Sequence, residues 1–449
     1  MQNEYFLLDH YHMQYEQLLS EAKEILALNN KGGFTIPTDR LYPFQWNWDS
    51  AFVSIGLANY DTKAAIDEIR NLLSGQWANG MIPHIVFHSE KEETYFPNWD
   101  FWDASVNSGA TSTPKTSGIS QPPVVGCALE KLYKVGGDNP EVLAAIREFY
   151  PKVVANHRWW YTFRDRDREG LVFIYHPWES GRDNSPVWDQ ALNSIDLSTI
   201  ELPNYQRRDT SIADASERPT RRQYDQYVYL LELGKKYRYD GHEIAQTSEF
   251  LMQDVMLNAI LIRANAALIR IGSELNLDTS EITAWKERAR GAFNSKLWDI
   301  ESAMYATYDL RNESLLPFKE VGGYAALYSG VVPDDRIQLM ANSLSDFHDR
   351  NFSLVPSFDV DHELFDSKRY WRGPVWPQMN WLIYHGLKES GHRELAAIVR
   401  KDFLDLVSRF GFREYFEARK AMSATGDGGY GGDNFSWTAS TVIDLILAE

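Results

Sequence analysis

The chain has 449 residues, of which 44% are hydrophobic and 24% charged, the composition of an ordinary globular protein. Its formal net charge of -18 argues against a nucleic-acid or anionic-membrane partner, because both demand a positive footprint. The departure from the ordinary is aromatic: 15 Trp, 24 Tyr and 22 Phe, many beside Gly, Pro, Asn and Asp in loops, where core packing does not account for them. Aromatic loop residues next to carboxylates suit carbohydrate, whose apolar ring faces stack on Trp and Tyr.

The single cysteine, Cys127, lies in the apolar run Val124–Leu129 and reads as a small buried hydrophobe rather than a nucleophile. One cysteine excludes an intramolecular disulfide and fits a reducing compartment. The stretch Met1–Tyr5 lacks the basic and apolar regions of a signal peptide. The most apolar helical stretch, Leu257 to Ile271, is interrupted by Arg263 and Arg270, so no membrane span is predicted. A cytoplasmic location is expected, and the Asn-x-Ser matches at Asn312, Asn351 and Asn434 read as chance.

Helical periodicity dominates the chain. Amphipathic runs fall near 12–29, 48–59, 61–74, 122–134, 141–162, 223–236, 249–273, 279–296, 319–329, 334–346, 376–391, 393–409 and 434–448. Asn30 and Gly32, Gly136-Gly137 and Gly391 supply stop signals. Strand patterns are few and short, such as Leu171–Tyr175. With no low-complexity linker or composition shift, the reading is a single all-α domain over 1–449. About a dozen helices with alternately short and long connections fit a closed ring of helical hairpins, the (α/α)6 barrel. Two places echo each other: Asp167–Gly170 with Phe173, and Asp299–Glu301 with Tyr305 and Tyr308, each read as a helix running into a small hairpin. The long loops 33–47, 76–120, 175–222, 350–375 and 410–433 hold most of the Trp, Gly and Pro, and a site is expected there.

The most informative loop segment is His176-Pro177-Trp178-Glu179-Ser180-Gly181-Arg182-Asp183-Asn184-Ser185-Pro186, read as too broken by Gly and Pro for helix or strand. Carboxylates beside Trp on an irregular loop are what an enzyme needs to raise one acid's pKa and aim it at a sugar oxygen. A solvated surface turn is the alternative for that segment alone. Four other segments stand out. Tyr42–Ser50 brings an aromatic loop into a helix, with Asp49 either functional or a simple N-cap. Ser117–Pro123 is expected to open a helix at Pro122 or Pro123, with Gln121 projecting from the loop. Tyr370–Pro377 holds three large flat side chains between Gly and Pro. Phe412–Glu417 precedes the Gly-rich Thr425–Gly432 and Asn434–Trp437. That glycine run lacks a preceding strand and the Gly-x-Gly-x-x-Gly spacing, so no dinucleotide loop is read. Walker, His-Glu-x-x-His, Gly-x-Ser-x-Gly and Cys-x-x-Cys motifs are missing, and His10 and His12 read as surface residues, so neither cofactor nor metal is expected.

Together, from Tyr42 to Trp437, these segments resemble glycoside hydrolase family 63 and its (α/α)6 neighbours, most closely the short branch acting on glucosylglycerate and mannosylglycerate. The resemblance implies that the Ser-Gly-x-Asp-Asn-Ser motif places the general acid on Asp183. The Glu-Tyr-Phe motif ahead of the glycine turn places the base on Glu414, with Glu417 three residues later as the rival. It also implies an inverting mechanism and a sugar pocket of Tyr42, Trp46, Trp48, Asp49, Gln121, Trp178, Tyr370, Trp371 and Trp376. Glycerate carries a carboxylate, for which a bidentate Arg is the natural partner. The resemblance points to Arg218 and Tyr224 as the glycerate pair, while Arg182 and Arg221 remain rivals. The expected activity is hydrolysis of glucosylglycerate, with mannosylglycerate as runner-up or second substrate. An oligosaccharide α-glucosidase or trehalase-like enzyme and a noncatalytic carbohydrate-binding barrel are the alternatives, and a homo-oligomer stays open.

Overall fold

In the computed structural model, residues 2–89, 91–423 and 428–447 are described; Thr425-Gly426-Asp427 of the glycine run and the expected helix end at 448 lie outside them, as do the side chains of His10 and His12. Twelve helices among the described residues form the frame. They are α1 (Gln2–Asn29), α2 (Asn47–Ala58), α3 (Thr62–Ser74), α4 (Val125–Gly136), α5 (Pro140–Phe163), α6 (Val255–Glu274), α7 (Ser280–Lys296), α8 (Val321–Tyr324), α9 (Asp334–Asp349), α10 (Pro377–Glu389), α11 (Arg393–Phe410) and α12 (Ser436–Leu447). Helix α8 continues as a 3-10 turn, Ala325–Ser329.

The even-numbered helices form an inner ring. Each packs on the next around the series α2, α4, α6, α8 with its 3-10 extension, α10 and α12, and α12 returns to α2. Outside them, α3 lies on α2, α5 on α4, α7 on α6, α11 on α10 and α1 on α12. Helix α9 is tied to α8 by the Tyr324 and Ser343 hydroxyls, 2.6 Å apart. This is an (α/α)6 barrel.

The burial pattern follows the sequence. All twelve residues of α2 are buried, as an inner wall requires. Outer α3 instead buries a stripe of Ala65, Ile66, Ile69, Leu72 and Leu73 at helical spacing and leaves its other face wet. Local chemistry sets the ends: Asn139 caps α5 ahead of Pro140 at its first position, and Asp254 caps α6. Helix α6 is long and apolar enough to cross a membrane, yet 78% of its apolar window is buried inside the ring.

Several local expectations are corrected. The run 249–273 begins with a two-residue strand, Met252–Gln253, and turns helical only after the Asp254 cap. Leu171–Tyr175 is buried and extended, but only Ile174 bridges, to Met252, so it is no strand and the Asp167–Phe173 hairpin does not form. Its counterpart does form, as Trp298–Asp299 pairs antiparallel with Met304–Tyr305. Helix α4 starts at Val125 rather than at Pro122 or Pro123. A residue before proline avoids the helical region, which delays the start. The segment His176–Pro186 contains a helical turn, Pro177–Ser180, seeded by Pro177 and capped by the His176 ring, which accepts from the Trp178 N–H.

Candidate active site

Segments at or ahead of the N-terminal ends of four inner helices, α2, α4, α10 and α12, meet at one cavity. Trp46, Trp48 and Asp49 come from the start of α2, Gln121 from the turn before α4, Tyr370 from the approach to α10, and Phe435 and Trp437 from the start of α12. The cavity encloses about 780 Å³, its opening to solvent included. Long loops complete it with Tyr42, His84, Tyr95, Trp178, Asp183, Arg208, Asp209, Arg218 and Glu414, and Tyr224 comes from the first turn of a further helix, Arg221–Lys236.

Asp183 sits at the end of a rigidly held loop. The preceding Arg182 is completely buried and pairs with the caps of two inner helices, Asp254 at 2.6 Å and Glu320. The Trp188 indole donates to the Arg182 carbonyl at 2.7 Å, and the Tyr227 hydroxyl to the Asp183 carbonyl at 2.9 Å. With its backbone fixed from several sides, Asp183 turns its carboxyl into the cavity. Gly181 (φ +69°) allows the loop to reach this place, since a Cβ there would lie 2.5 Å from the Trp48 ring. Burial pushes the Asp183 carboxyl up to about 7; the Arg218 charge opposes this and the Glu414 charge adds to it.

Glu414 is fully buried and far better solvated by the protein. It accepts from the Tyr42 hydroxyl at 3.1 Å and from the Gly432 N–H at 3.1 Å, and the Arg218 Nη1 stands 3.7 Å away. Burial raises its pKa, and these three partners counter the rise. The position is secured by a short hairpin in which Tyr415–Phe416 pairs with Gly429–Tyr430. A Cβ on Gly431 (φ +72°) would lie 2.2 Å from Glu414 Oε2, so only glycine leaves the carboxylate its place. Glu417, the rival, is elsewhere. It accepts from Ser367 Oγ at 2.7 Å, the Tyr430 hydroxyl at 3.2 Å and the Arg419 N–H at 2.8 Å. Along an extended segment an offset of three residues puts the two glutamates on opposite faces, which is why one reaches the cavity and the other does not.

A third carboxyl, Asp49, occupies the first turn of α2 and is not its N-cap, which is Trp46. Burial first, with the Glu414 and Glu68 charges after it, pushes its pKa well up. Gln121 accepts from the Trp48 N–H at 3.3 Å, joining the two segments. The Tyr42 and Tyr370 hydroxyls meet at 2.9 Å, and the Arg218 guanidinium covers the Tyr370 ring at 4.2 Å. Tyr370 holds a left-handed backbone (φ +45°), rare for a bulky residue and found where surrounding structure dictates it.

The structure thus brings Tyr42, Trp46, Trp48, Asp49, Gln121, Trp178, Asp183, Arg218, Tyr224, Tyr370 and Glu414 to one cavity. Trp371 and Trp376 are the corrections. They are buried behind the wall, stacked on each other at 3.7 Å, with Trp376 also stacked on Tyr415 at 4.5 Å. Trp376 donates to the Tyr370 carbonyl, and the Trp371 N–H to the Asn184 side chain at 2.9 Å, so both support the wall without lining it. Arg182 is consumed by its buried ion pairs, and Arg221 is largely exposed, paired with Asp225. Glu179, the other acid of the Trp178 segment, is also structural, fully buried against Arg164 at 2.9 Å.

Sequence reasoning missed Asp209, Arg208, Tyr95 and His84. The signal for the first two was the charged triplet Arg207-Arg208-Asp209 within the long loop 175–222. In the structure Arg207 grips Asp209 through Nε and Nη2, at 3.0 and 2.6 Å, and Asp209 in turn accepts from Arg218 Nε at 3.3 Å. The aromatic Tyr95-Phe96-Pro97 in the loop 76–120 was the signal for Tyr95. His84 packs parallel to Trp178 at 6.3 Å, and burial lowers its pKa well below the usual value, so the ring is neutral.

A helical ring with an aromatic cavity and two carboxyls in different electrostatic surroundings is the architecture of a glycoside hydrolase, and this chain is one. Residues 42–438 match the model of the "Mannosylglycerate hydrolase MGH1-like glycoside hydrolase domain". The chain is 40% identical to the mannosylglycerate hydrolase of Thermus thermophilus over 94% of its length and 99% of that protein's. It is 39% identical to mannosylglycerate hydrolase MGH1 of Selaginella moellendorffii (96% and 86%), and 34% identical to the glucosylglycerate hydrolase of Mycolicibacterium hassiacum (96% and 98%). A crystal structure of a Thermus thermophilus mannosylglycerate hydrolase of family 63, in complex with Tris and D-glycerate, superposes with a TM-score of 0.88 at 39% identity, covering 95% of this chain and 99% of that one. The neutral trehalase Nth1 of Saccharomyces cerevisiae shares only the fold, with a TM-score of 0.57 at 14% identity. The chain belongs to the MGH1-like glycoside hydrolases of family 63.

Proposed function

We propose that this hydrolase cleaves α-glycosides of glycerate, glucosylglycerate and mannosylglycerate, with inversion at the anomeric carbon. The observation that carries the reading is the unequal treatment of two carboxyls in one cavity. Asp183, whose own N–H supplies the hydrogen bond favouring its charged form, titrates at about 7 and holds a proton for the glycosidic oxygen. Glu414, served by Arg218, Tyr42 and the Gly432 N–H, is the group better able to carry charge and activates water as the base. Water attacks the anomeric carbon as Asp183 protonates the departing glycerate oxygen. An inverting pair needs about 6.5–9.5 Å between its carboxyls to admit that water. Asp49 and Gln121 hold sugar hydroxyls, and the Trp and Tyr walls stack on the ring and exclude bulk water. Arg218 and Tyr224 stand where the glycerate group would leave.

Sequence alone put glucosylglycerate first. Relatives named as mannosylglycerate hydrolases share 38–40% identity and the glucosylglycerate enzyme 34%, which gives mannosylglycerate equal standing. The test is hydrolysis of both glycosides, with trehalose as the neutral comparison. Preference for trehalose or another neutral glucoside would replace this reading with a general α-glucosidase.

A further inference from the structure

The apolar stripe of outer helix α3 contains one charged side chain, Glu68, and it is fully buried. Other buried acids around the inner ring have a cation: Glu130 of α4 pairs with Arg270, Asp254 with Arg182, and Asp444 of α12 with Lys131 at 2.8 Å. Glu68 pairs with none among the described residues. A leucine in its place would fill the stripe without desolvating a carboxyl, so the fold alone does not call for an acid here. The bonds of Glu68 run instead toward the wall of the cavity. Its Oε1 accepts from Ser50 Oγ at 2.5 Å and from Gln45 Nε2 at 3.1 Å, and the same Gln45 nitrogen donates to the Glu68 carbonyl at 3.0 Å. Thr35 stands beside the same carboxyl. On its far side Gln45 Oε1 accepts from His88 Nε2 at 2.5 Å, and burial lowers the His88 pKa to about 4, which leaves that ring neutral. Burial likewise pushes the Glu68 carboxyl up to about 7, against the hydrogen bonds from Ser50, Thr35 and Gln45.

Gln45 and Ser50 are the sequence neighbours of Trp46 and Asp49, which line the cavity. Gln45 and Trp46 form a two-residue strand paired with Val86 and Ile85, and alternation along it sends Trp46 to the cavity and Gln45 to α3. Ser50 follows Asp49 by about 100° round α2, so one turns to α3 while the other turns to the cavity. A single carboxyl oxygen thus ties down both ends of the segment 45–50. Resting on the reading of Trp46 and Asp49 as sugar contacts, we infer that Glu68 is a positioning residue of the sugar subsite: from the outer ring it clamps Gln45 and Ser50 and thereby sets where Trp46 and Asp49 meet the sugar. It touches no substrate itself. Its charge also bears on Asp49, whose pKa is raised first by burial and then by Glu414 and Glu68. The clamp serves the sugar end of the cavity, since Arg218 is held separately by Asp209 and Tyr42.

The experiment measures binding of glucose and of D-glycerate by titration calorimetry in wild type, Glu68→Ala, Glu68→Gln and Ser50→Ala, with Tm and the hydrolysis of glucosylglycerate and mannosylglycerate followed alongside. Glu68→Ala should weaken glucose binding about tenfold and lower kcat/KM by about ten- to a hundredfold, the cost of a small misplacement of the sugar wall. Glycerate binding should stay within about twofold, because its contacts share no partner with the clamp. Glu68→Gln keeps an acceptor oxygen for Gln45 and Ser50 and should restore glucose binding to within about threefold of wild type. Ser50→Ala removes one bond of the clamp without emptying the stripe; it should weaken glucose binding about three- to tenfold at unchanged glycerate binding, and it carries the test if Glu68→Ala does not fold. Equal weakening of both ligands, a lower Tm with both ligands bound as in wild type, or a Glu68→Gln variant no better than Glu68→Ala overturns the inference while the substrate reading stands. A wild type that binds no glucose also overturns the inference. One that turns over neither glycoside overturns the substrate reading, whatever the glucose titrations say of Glu68.

Discussion

Replacing Asp183 by Asn should abolish turnover and yet stabilise the fold, and the size of each effect follows from the site. The carboxyl titrates at about 7 against 3.8 in its ordinary state because burial disfavours its charge and Glu414 repels it. Removing a general acid costs on the order of 10²–10⁴-fold in rate. The folded protein binds this proton more tightly than the unfolded chain, so the group's contribution to stability is complete below pH about 4 and is lost as pH rises through about 7. The full shift would be worth about 4 kcal/mol, and solvent at the cavity cuts it to roughly 1–2 kcal/mol. Asn has the same shape and no charge to desolvate, so Asp183→Asn should raise Tm by a few degrees at pH 8 and not at pH 4. In the wild type, kcat/KM should fall on the alkaline side with a pKa near 7, and the limb should vanish in the variant. Paired calorimetry and pH–rate profiles check this. A variant with more than a tenth of wild-type activity, or with lower Tm at pH 8, would refute the assignment of the proton to Asp183.

Glu414→Gln should lose about a thousandfold or more in kcat, whereas Glu417→Gln should stay within about tenfold and appear instead as a lower Tm, because Glu417 binds Ser367 and Tyr430 away from the cavity. Steady-state kinetics with thermal melts separates the two. Gly431→Ala should reduce kcat about ten- to a hundredfold with little change in KM, since its Cβ would displace the Glu414 carboxylate by steric overlap at 2.2 Å. Removing the Arg182 charge by Arg182→Met should destabilise by about 3–5 kcal/mol, because it leaves Asp254 and Glu320 buried without their cation; denaturant unfolding measures it.

The ring of helices was legible because helical periodicity is a local signal repeated along the chain, and inner and outer helices differ in the width of their apolar stripe. The loop segments carrying Asp183, Asp49 and Glu414 were legible as carboxyls among Trp, Gly and Pro. What periodicity cannot supply is which face of a non-periodic segment meets the cavity. Trp371 and Trp376 have the same composition signal as Tyr370, yet a left-handed turn at Tyr370 sends its ring inward and stacks the tryptophans behind it. Glu414 and Glu417 differ only by the parity of an extended hairpin that spans the glycine run. Arg207-Arg208-Asp209 drew no reading from the sequence because the contacts that hold it at the cavity, to Arg218 and Pro219, are nine or more residues away. Arg182 read as a substrate cation because both its carboxylates come from helix caps more than seventy residues on.

The central claim is that Asp183 and Glu414 act as acid and base on an α-glycoside of glycerate with water between them. Proton NMR of the wild-type enzyme with glucosylglycerate, recorded from the first seconds, tests it most directly. The account predicts release of glycerate with β-glucose as the first anomer, and β-mannose in the parallel run with mannosylglycerate. Initial α-anomer, or no turnover of either glycoside, would contradict it.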